Sequence, residues 1–212
     1  MGSDQTAGGT TRGATKAWLH GIAELLLAGP QYRRSGTIRL RVTEDGFATV
    51  TQPETSYSDG TVTSGDTRIP LGTLTYAEIG ERLGYEAGAP EGLYQDGSGA
   101  KPNDVPAPNE AAALELVTAL SRGDQALRLL APNTTPVLWP EHFDVSVTLD
   151  VVNYGVSPGD GYLDEPYMYV GPRTPPAGAF WNAPFGAARP LAATVEEAAE
   201  FFAEGRRLIA GG

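Results

Sequence analysis

The sequence predicts an α+β protein with small antiparallel sheets, flanking helices and two lobes that form one unit. Three observations predict this class. Several segments repeat apolar residues at helical spacing, others alternate apolar and polar residues as strands do, and the two kinds do not follow the regular order of β-α-β units. The chain has 212 residues, which is enough for two small lobes around one core.

The N-terminal part of the chain predicts a tail and then an α+β lobe. Residues 1–13 are rich in Gly and Thr, so we expect a disordered tail there. The N-terminal lobe spans residues 14–84. Its first helix has Thr15 as the expected N-cap and ends at Gly29-Pro30.

Two hairpins and a short helix complete this lobe. The first hairpin turns at Asp45-Gly46, a dipeptide typical of tight turns, and the second lies within residues 61–71. The short helix begins with a capping box, in which Thr75 and Glu78 satisfy each other's backbone N–H groups.

The second half of the chain begins with a segment that is rich in Gly, Pro and Asp. Residues 85–109 therefore predict a linker or a long loop, followed by a C-terminal α+β lobe at residues 110–212. Asn109 caps its first helix, which Gly123-Asp124 is expected to break. Residues 143–154 alternate as one half-buried strand, and residues 166–170 form another. A final helix begins with the capping box formed by Thr194 and Glu197.

Charge and composition exclude several classes of function. The net charge is −11, from 15 basic and 26 acidic residues, which disfavours nucleic acids and anionic membranes as partners. The chain has no cysteine, which excludes thiolate nucleophiles, zinc ribbons and iron–sulfur clusters. It shows no signal peptide and no long apolar run, so a cytoplasmic protein is expected.

Two patterns that resemble catalytic motifs are better explained as local structure. Gly155, Ser157 and Gly159 match the spacing of a hydrolase nucleophile elbow, but no helix can follow them and no histidine comes after the serine. The segment is typical of a turn. His142, Asp144 and Ser146 would lie in a row on one strand face, at about 6–7 Å intervals, which is too far apart for a catalytic triad.

The remaining hypotheses concern metal and small-ligand binding. His142 with Asp144 and Glu165 could hold a divalent metal, and no other cofactor is evident from the residues. Nine of the 18 aromatic residues lie between residues 139 and 185, beside several carboxylates, which is a composition typical of small-ligand pockets. The candidate ligand-binding residues are Trp139, His142, Asp144, Tyr154, Asp160, Tyr162, Glu165, Tyr167, Tyr169, Trp181 and Asn182.

Several of these segments carry a family resemblance. The motifs WPEHFD, NYGVSPGDGY, EPYMYVGP and FWNAPFG resemble those of a set of uncharacterised actinobacterial proteins. Residues 136–190 also resemble a wider family of unknown function, in which the residue before the histidine is often a second histidine. Here that residue is Glu141, which removes a metal ligand. The resemblance implies a shared compact fold and a soluble bacterial protein, and it implies no reaction.

Three hypotheses for function follow from the sequence. The first is a small-ligand binding protein that uses the aromatic and acidic region at residues 139–185. The second is a structural or protein-interaction module, in which the motif residues serve the core and the turns. The third is a metal-dependent enzyme centred on His142. The sequence leaves open the oligomeric state and whether the partner is a small molecule or a protein.

Overall fold

The structure, a computed structural model, describes residues 4–211, with side chains from residue 11 onward. The chain forms two compact units. The first comprises the residues up to Thr118 together with Leu138–Phe143, and the second comprises Ala119–Val137 and the chain from Asp144 onward. Both combine helices with antiparallel strands, which confirms the α+β class. Among the described residues, no helix is long and apolar enough to cross a membrane.

The first unit begins with a long helical segment. It consists of α1 (Asp4–Gly21), a π-helix (Ile22–Ala28) and α2 (Gly29–Ser35). Every residue of the π-helix is buried. The predicted end at Gly29-Pro30 is wrong, because the backbone stays helical from the π-helix through Pro30, and α2 ends at Ser35.

The start of this helix also differs from the prediction. Residues 1–3 of the predicted tail lie outside the described residues, and from Asp4 the chain is helical. Thr15 is therefore not an N-cap. It is buried within α1, and its hydroxyl accepts the backbone N–H of Asn109 at 3.1 Å.

Six short strands of the first unit pair in antiparallel fashion in the order β6-β1-β2-β3-β4-β5. Both predicted hairpins are present, and Leu40 of β1 also pairs with Leu138 of β6. The strands are β1 (Leu40–Val42), β2 (Gly46–Thr49), β3 (Thr55–Ser58), β4 (Thr61–Ser64), β5 (Thr67–Pro70) and β6 (Val137–Trp139).

A short helix and a long loop complete the first unit. The predicted capping box of α3 (Tyr76–Arg82) is confirmed. Residues 85–109 contain no helix or strand, and they belong to the first unit rather than linking two lobes. The loop is bonded to the helical segment, since Gly88 donates its N–H to the carbonyl of Leu25 at 2.9 Å.

Helix α4 (Glu110–Leu130) runs through the predicted break at Gly123-Asp124 without interruption. As predicted, Asn109 caps it by accepting the N–H of Ala112 at 3.0 Å. A Cβ atom at position 123 would lie 2.7 Å from the Cβ of Val156. The glycine therefore serves close packing of helix on sheet instead of ending the helix.

The second unit contains four antiparallel strands in the order β10-β9-β8-β7 and a final helix. The single strand predicted over residues 143–154 is wrong. The chain turns at Asp150 and Val151, which have φ angles of 50° and 60°, although no glycine marks this turn. The elements are β7 (Asp144–Leu149), β8 (Val152–Ser157), β9 (Tyr167–Pro172), β10 (Ala187–Pro190) and α5 (Val195–Ala210), with the predicted capping box at Thr194 and Glu197.

Alternation divides the side chains of this sheet between two faces. Val145, Val156 and Met168 are cross-strand neighbours and are buried. Val170 faces α5, because a Cβ at Gly205 of that helix would lie 2.9 Å from a Val170 methyl group. The opposite face carries polar and tyrosine side chains.

Gln31 connects helix α2 to two chain segments, the one that precedes β1 and the one that follows β2. Its side chain is fully buried. Its nitrogen donates to the carbonyls of Thr37 and Arg39 at 3.1 and 2.8 Å, and its oxygen accepts the N–H groups of Val50 and Thr51 at 2.7 and 3.1 Å. One amide therefore satisfies four backbone groups.

We predict that Gln31→Leu lowers the free energy of unfolding by about 2 kcal/mol or more, because four partly buried backbone hydrogen bonds lose their partner. Urea unfolding followed by circular dichroism measures this change. Gln125→Leu, at an exposed position of α4, is the matched control and should stay within about 0.5 kcal/mol of wild type. Equal stability of the two variants would contradict the role assigned to Gln31.

Candidate functional site

The candidate site lies on the sheet face of the second unit that does not carry the valines. Ser146 pairs with Gly155 and Gly155 with Tyr169, while Ser157 pairs with Tyr167. Because cross-strand partners share a face, these side chains point the same way. We call this surface the tyrosine face; its members are Asp144, Ser146, Gly155, Ser157, Tyr167 and Tyr169.

The first polar contact of the tyrosine face joins Tyr169 to Asp144. The phenol donates a short hydrogen bond to the carboxylate of Asp144, which is only 8% exposed. Gly155 makes room for the phenol, because a Cβ there would lie 2.5 Å from the Tyr169 oxygen. Burial and the Asp144 charge raise the pKa of Tyr169 well above its ordinary value. Tyr169 is therefore a protonated donor at neutral pH.

The second contact joins Tyr167 to Asp160 in the loop between β8 and β9. The Tyr167 phenol donates to Oδ2 of Asp160 at 2.6 Å. The other oxygen, Oδ1, accepts the N–H groups of Tyr162 and Leu163 at 2.8 and 3.3 Å. Burial, followed by the hydrogen bond to Asp160, raises the pKa of Tyr167. The carboxylate of Asp160 is thus fixed in place by three donors.

The loop that carries Asp160 begins at the Ser157-Pro-Gly segment. Ser157 is 5% exposed, and its hydroxyl accepts the N–H of Gly159 at 3.2 Å. Residues 158–166 contain no helix. The geometry of a nucleophile elbow is therefore absent from this segment, which forms a turn.

Aromatic rings form the edge of the tyrosine face. Tyr162 is 46% exposed, and its ring centroid lies 5.0 Å from Phe185 and 5.9 Å from Tyr167. The Tyr167 ring in turn lies 6.4 Å from Tyr169. These four rings make a continuous aromatic surface with one exposed member.

Several predicted site residues lie elsewhere. Tyr154 is on the opposite face, edge-on to Phe202 at 6.4 Å. The Trp181 ring lies edge-on to Phe180, with centroids 4.9 Å apart, and its place in a ligand site stays a prediction. The Asn182 amide donates to and accepts from the backbone of Ala188 at 3.0 and 2.9 Å, which is a structural role.

Two other candidates belong to the first unit. The Trp139 ring lies under the guanidinium of Arg39, 5.8 Å from its centroid. His142 is exposed over 64% of its side chain, and its Nε2 lies 3.8 Å from a carboxylate oxygen of Glu141. Strand β7 begins at Asp144, after Phe143 with a φ of 55°, so His142 does not continue the row of Asp144 and Ser146.

The structure bears on the metal hypothesis through its ligands. Glu165 is exposed and Asp144 is buried. Across the residues the structure describes, no three His, Asp or Glu side chains lie close enough together to hold a metal ion. The metal hypothesis at His142, Asp144 and Glu165 stays a prediction.

Sequence reasoning missed a buried polar group in the first unit. Glu24, in the π-helix, is 3% exposed. Its carboxylate accepts the backbone N–H of Ser98 at 2.9 Å and also the Ser98 hydroxyl. Lys16, His20 and Glu24 follow each other at intervals of four, so helical spacing could have indicated a shared polar stripe.

His20 is also more enclosed than a surface histidine. Its ring stacks on Phe143 at 5.6 Å, and its Nε2 lies 2.6 Å from the carbonyl oxygen of Pro140. Because a carbonyl only accepts, Nε2 carries the proton. Burial lowers the pKa of His20, while this hydrogen bond and Glu24 raise it by less, and Lys16 and His142 lower it further.

Comparisons of the chain with protein-family models, with curated proteins and with solved structures find no match in any of the three. The resemblance of residues 136–190 to a wider family therefore stays a prediction. The chemistry of the tyrosine face has to be inferred from its own residues.

We predict that Tyr169→Phe lowers the free energy of unfolding by about 1.5–3 kcal/mol at pH 7, because it removes a donor to a buried carboxylate. Since the folded pKa of Tyr169 is raised, this stabilisation is constant below the unfolded value of 10.0 and is lost as the pH rises further. Urea unfolding at a series of pH values measures both effects. Tyr162→Phe at the exposed edge is the control, and an equal loss there would contradict the prediction.

A second prediction concerns acid stability. The folded pKa of His20 is lowered, so its contribution to stability is present above the unfolded value of 6.5 and is lost as the pH falls through the folded pKa. His20→Gln should therefore flatten the fall in unfolding free energy between pH 7.5 and 5.5, in the range where histidine titrates. Gln125→Leu, at an exposed position without a titrating group, should leave the slope unchanged. A steeper slope in His20→Gln would show the sign to be wrong.

Proposed function

We propose that this protein binds a small organic ligand at the exposed edge of the tyrosine face. The observation that carries the proposal is a fixed carboxylate beside an exposed aromatic ring. Asp160 is held by two backbone N–H groups and by Tyr167, and Tyr162 follows it two residues later. The Tyr162 ring is 46% exposed and packs edge-on against Phe185.

The chemistry of these groups defines the class of ligand. A carboxylate can accept about four hydrogen bonds, and Asp160 accepts three, so it retains room for a donor from a ligand. The face of Tyr162 suits an apolar ring or a short chain. A ligand with a hydroxyl or amine group next to such an apolar part matches both.

Charge favours amines and neutral polyols over acids. Asp160 is joined in the same exposed loop by Asp164 and Glu165, and the whole chain carries a net charge of −11. An anionic ligand would therefore be repelled at this edge. An ammonium group could form an ion pair with the carboxylate and a cation–π contact with the electron-rich face of the tyrosine.

The contacts behind the edge limit the cost of binding. Tyr167 is 4% exposed and is bonded to Asp160, and its ring lies against Tyr169. Tyr169 is in turn bonded to Asp144. Because Asp160 and its neighbours are already ordered, little conformational entropy is lost when a ligand binds.

The proposal predicts that ligands from a fragment set of amines and polyols shift the ¹⁹F signal of Tyr162 in protein labelled with 3-fluorotyrosine. Asp160→Asn keeps the shape of the side chain but removes its charge. It should lower the affinity for such a ligand about tenfold, the equivalent of one charge-assisted hydrogen bond. Tyr162→Ala should lower the affinity by a similar factor through loss of the ring.

Asp164→Asn is the matched control, because Asp164 is exposed in the same loop, and the phenols of Tyr167 and Tyr169 donate to Asp160 and Asp144 instead. It should retain the wild-type affinity within about a factor of two, as expected for an exposed charge outside the contact. Loss of binding in Asp164→Asn but not in Asp160→Asn would contradict the proposal. A complete fragment set that leaves the Tyr162 signal unchanged would also contradict it.

A further inference from the structure

The first unit contains a groove that the proposed function does not use. It lies between the first turns of α4 and two hairpin turns, and its volume is about 300 Å³. That volume is at the lower end of the range for small-molecule sites. Its apolar wall includes Tyr57, Leu114 and Val117, and its charged groups are Asp45, Asp59 and Glu110.

The apolar wall combines buried and exposed side chains. Tyr57 and Val117 are 2% and 4% exposed and belong to the core, whereas Leu114 exposes 67% of its surface. A leucine this exposed beside a formed groove leaves apolar area that a ligand could cover. The wall is therefore suited to a short hydrocarbon chain.

The three carboxylates come from three separate elements. Asp45 precedes β2, Asp59 lies in the β3–β4 turn with a φ of 44°, and Glu110 is the first residue of α4. Among the described side chains, no Lys or Arg lines the groove, and the ion pairs use other residues. Unpaired charges of one sign around an apolar cavity produce a negative potential that attracts a cation.

We propose that this groove binds a small organic cation. Its ammonium group is attracted by the negative potential of Asp45, Asp59 and Glu110, and its hydrocarbon chain lies against Leu114, Val117 and Tyr57. The site is independent of the tyrosine face, since all of its residues belong to the first unit. Charge and apolar contact together favour this occupant over a neutral molecule or a bare metal ion.

The test uses n-butylammonium as the probe, with n-butanol as an uncharged molecule of the same shape and Mg²⁺ as a bare cation. Binding is followed through the amide signals of residues 57–60 and 110–117 in ¹⁵N–¹H spectra of the full chain. We expect saturable shifts with n-butylammonium at millimolar concentration. The affinity for n-butanol, measured from the same amide shifts, should be at least about tenfold lower. Since the carboxylates are exposed, added salt should also weaken binding.

Three variants separate the parts of the proposal. The double variant Asp59→Asn with Glu110→Gln should lower the affinity for n-butylammonium about tenfold, because it removes two exposed charges. Leu114→Ala should also lower this affinity, through loss of apolar contact. Asp66→Asn is the matched control. It removes the same charge from the β4–β5 turn, at the other end of β4 from Asp59, and should leave the affinity unchanged.

Four results would overturn the proposal. These are equal binding of n-butanol, shifts with Mg²⁺ that match those with n-butylammonium, equal loss of binding in Asp66→Asn, and the absence of saturable shifts at these amides. The exposed positions of the substitutions keep the variants folded, and their circular dichroism spectra check this directly.

Discussion

The carboxylate of Asp144 is buried, and its need for a hydrogen-bond donor governs how the second unit is built. Burying a charge without hydrogen-bond donors is costly. Because Asp144 is buried, a neighbouring strand has to supply a donor to its carboxylate. Tyr169 meets this requirement, and it can do so only because Gly155 leaves space for its phenol. The alternation of strands then places Tyr167 beside Ser157.

The same requirement explains the long loop of the first unit. Irregular backbone cannot satisfy its own N–H and C=O groups as a helix or sheet does, so it needs partners from elsewhere. Glu24 supplies one to Ser98, and Leu25 supplies a carbonyl to Gly88. One buried carboxylate and one backbone carbonyl of the helical segment thus fix a stretch whose composition alone predicts a linker or a long loop.

The candidate site was predicted in part because chemistry and strand alternation are both readable locally. The alternation in the Glu-Pro-Tyr-Met-Tyr-Val segment places Tyr167 and Tyr169 on one face without any knowledge of the partner strands. The roles of Asp144 and Asp160 depend on which strand and which loop lie beside those tyrosines. Tyr154 was assigned to the site by proximity in sequence, and its side-chain direction places it on the opposite face, against Phe202.

The sequence by itself determined the α+β class, both N-terminal hairpins, the capping boxes of α3 and α5 and the acidic character of the chain, because these depend on neighbouring residues and on composition. Only the tertiary structure decided the turn at Asp150-Val151, the continuity of α4 through Gly123 and the buried positions of Glu24 and Gln31. No glycine marks that turn, and the other features depend on groups elsewhere in the chain: Gly123 lies against Val156, Glu24 accepts from Ser98 and Gln31 from Val50. A glycine can end a helix, or it can let a helix lie close against a sheet as Gly123 does. Only the surface that packs against the glycine decides between these two roles.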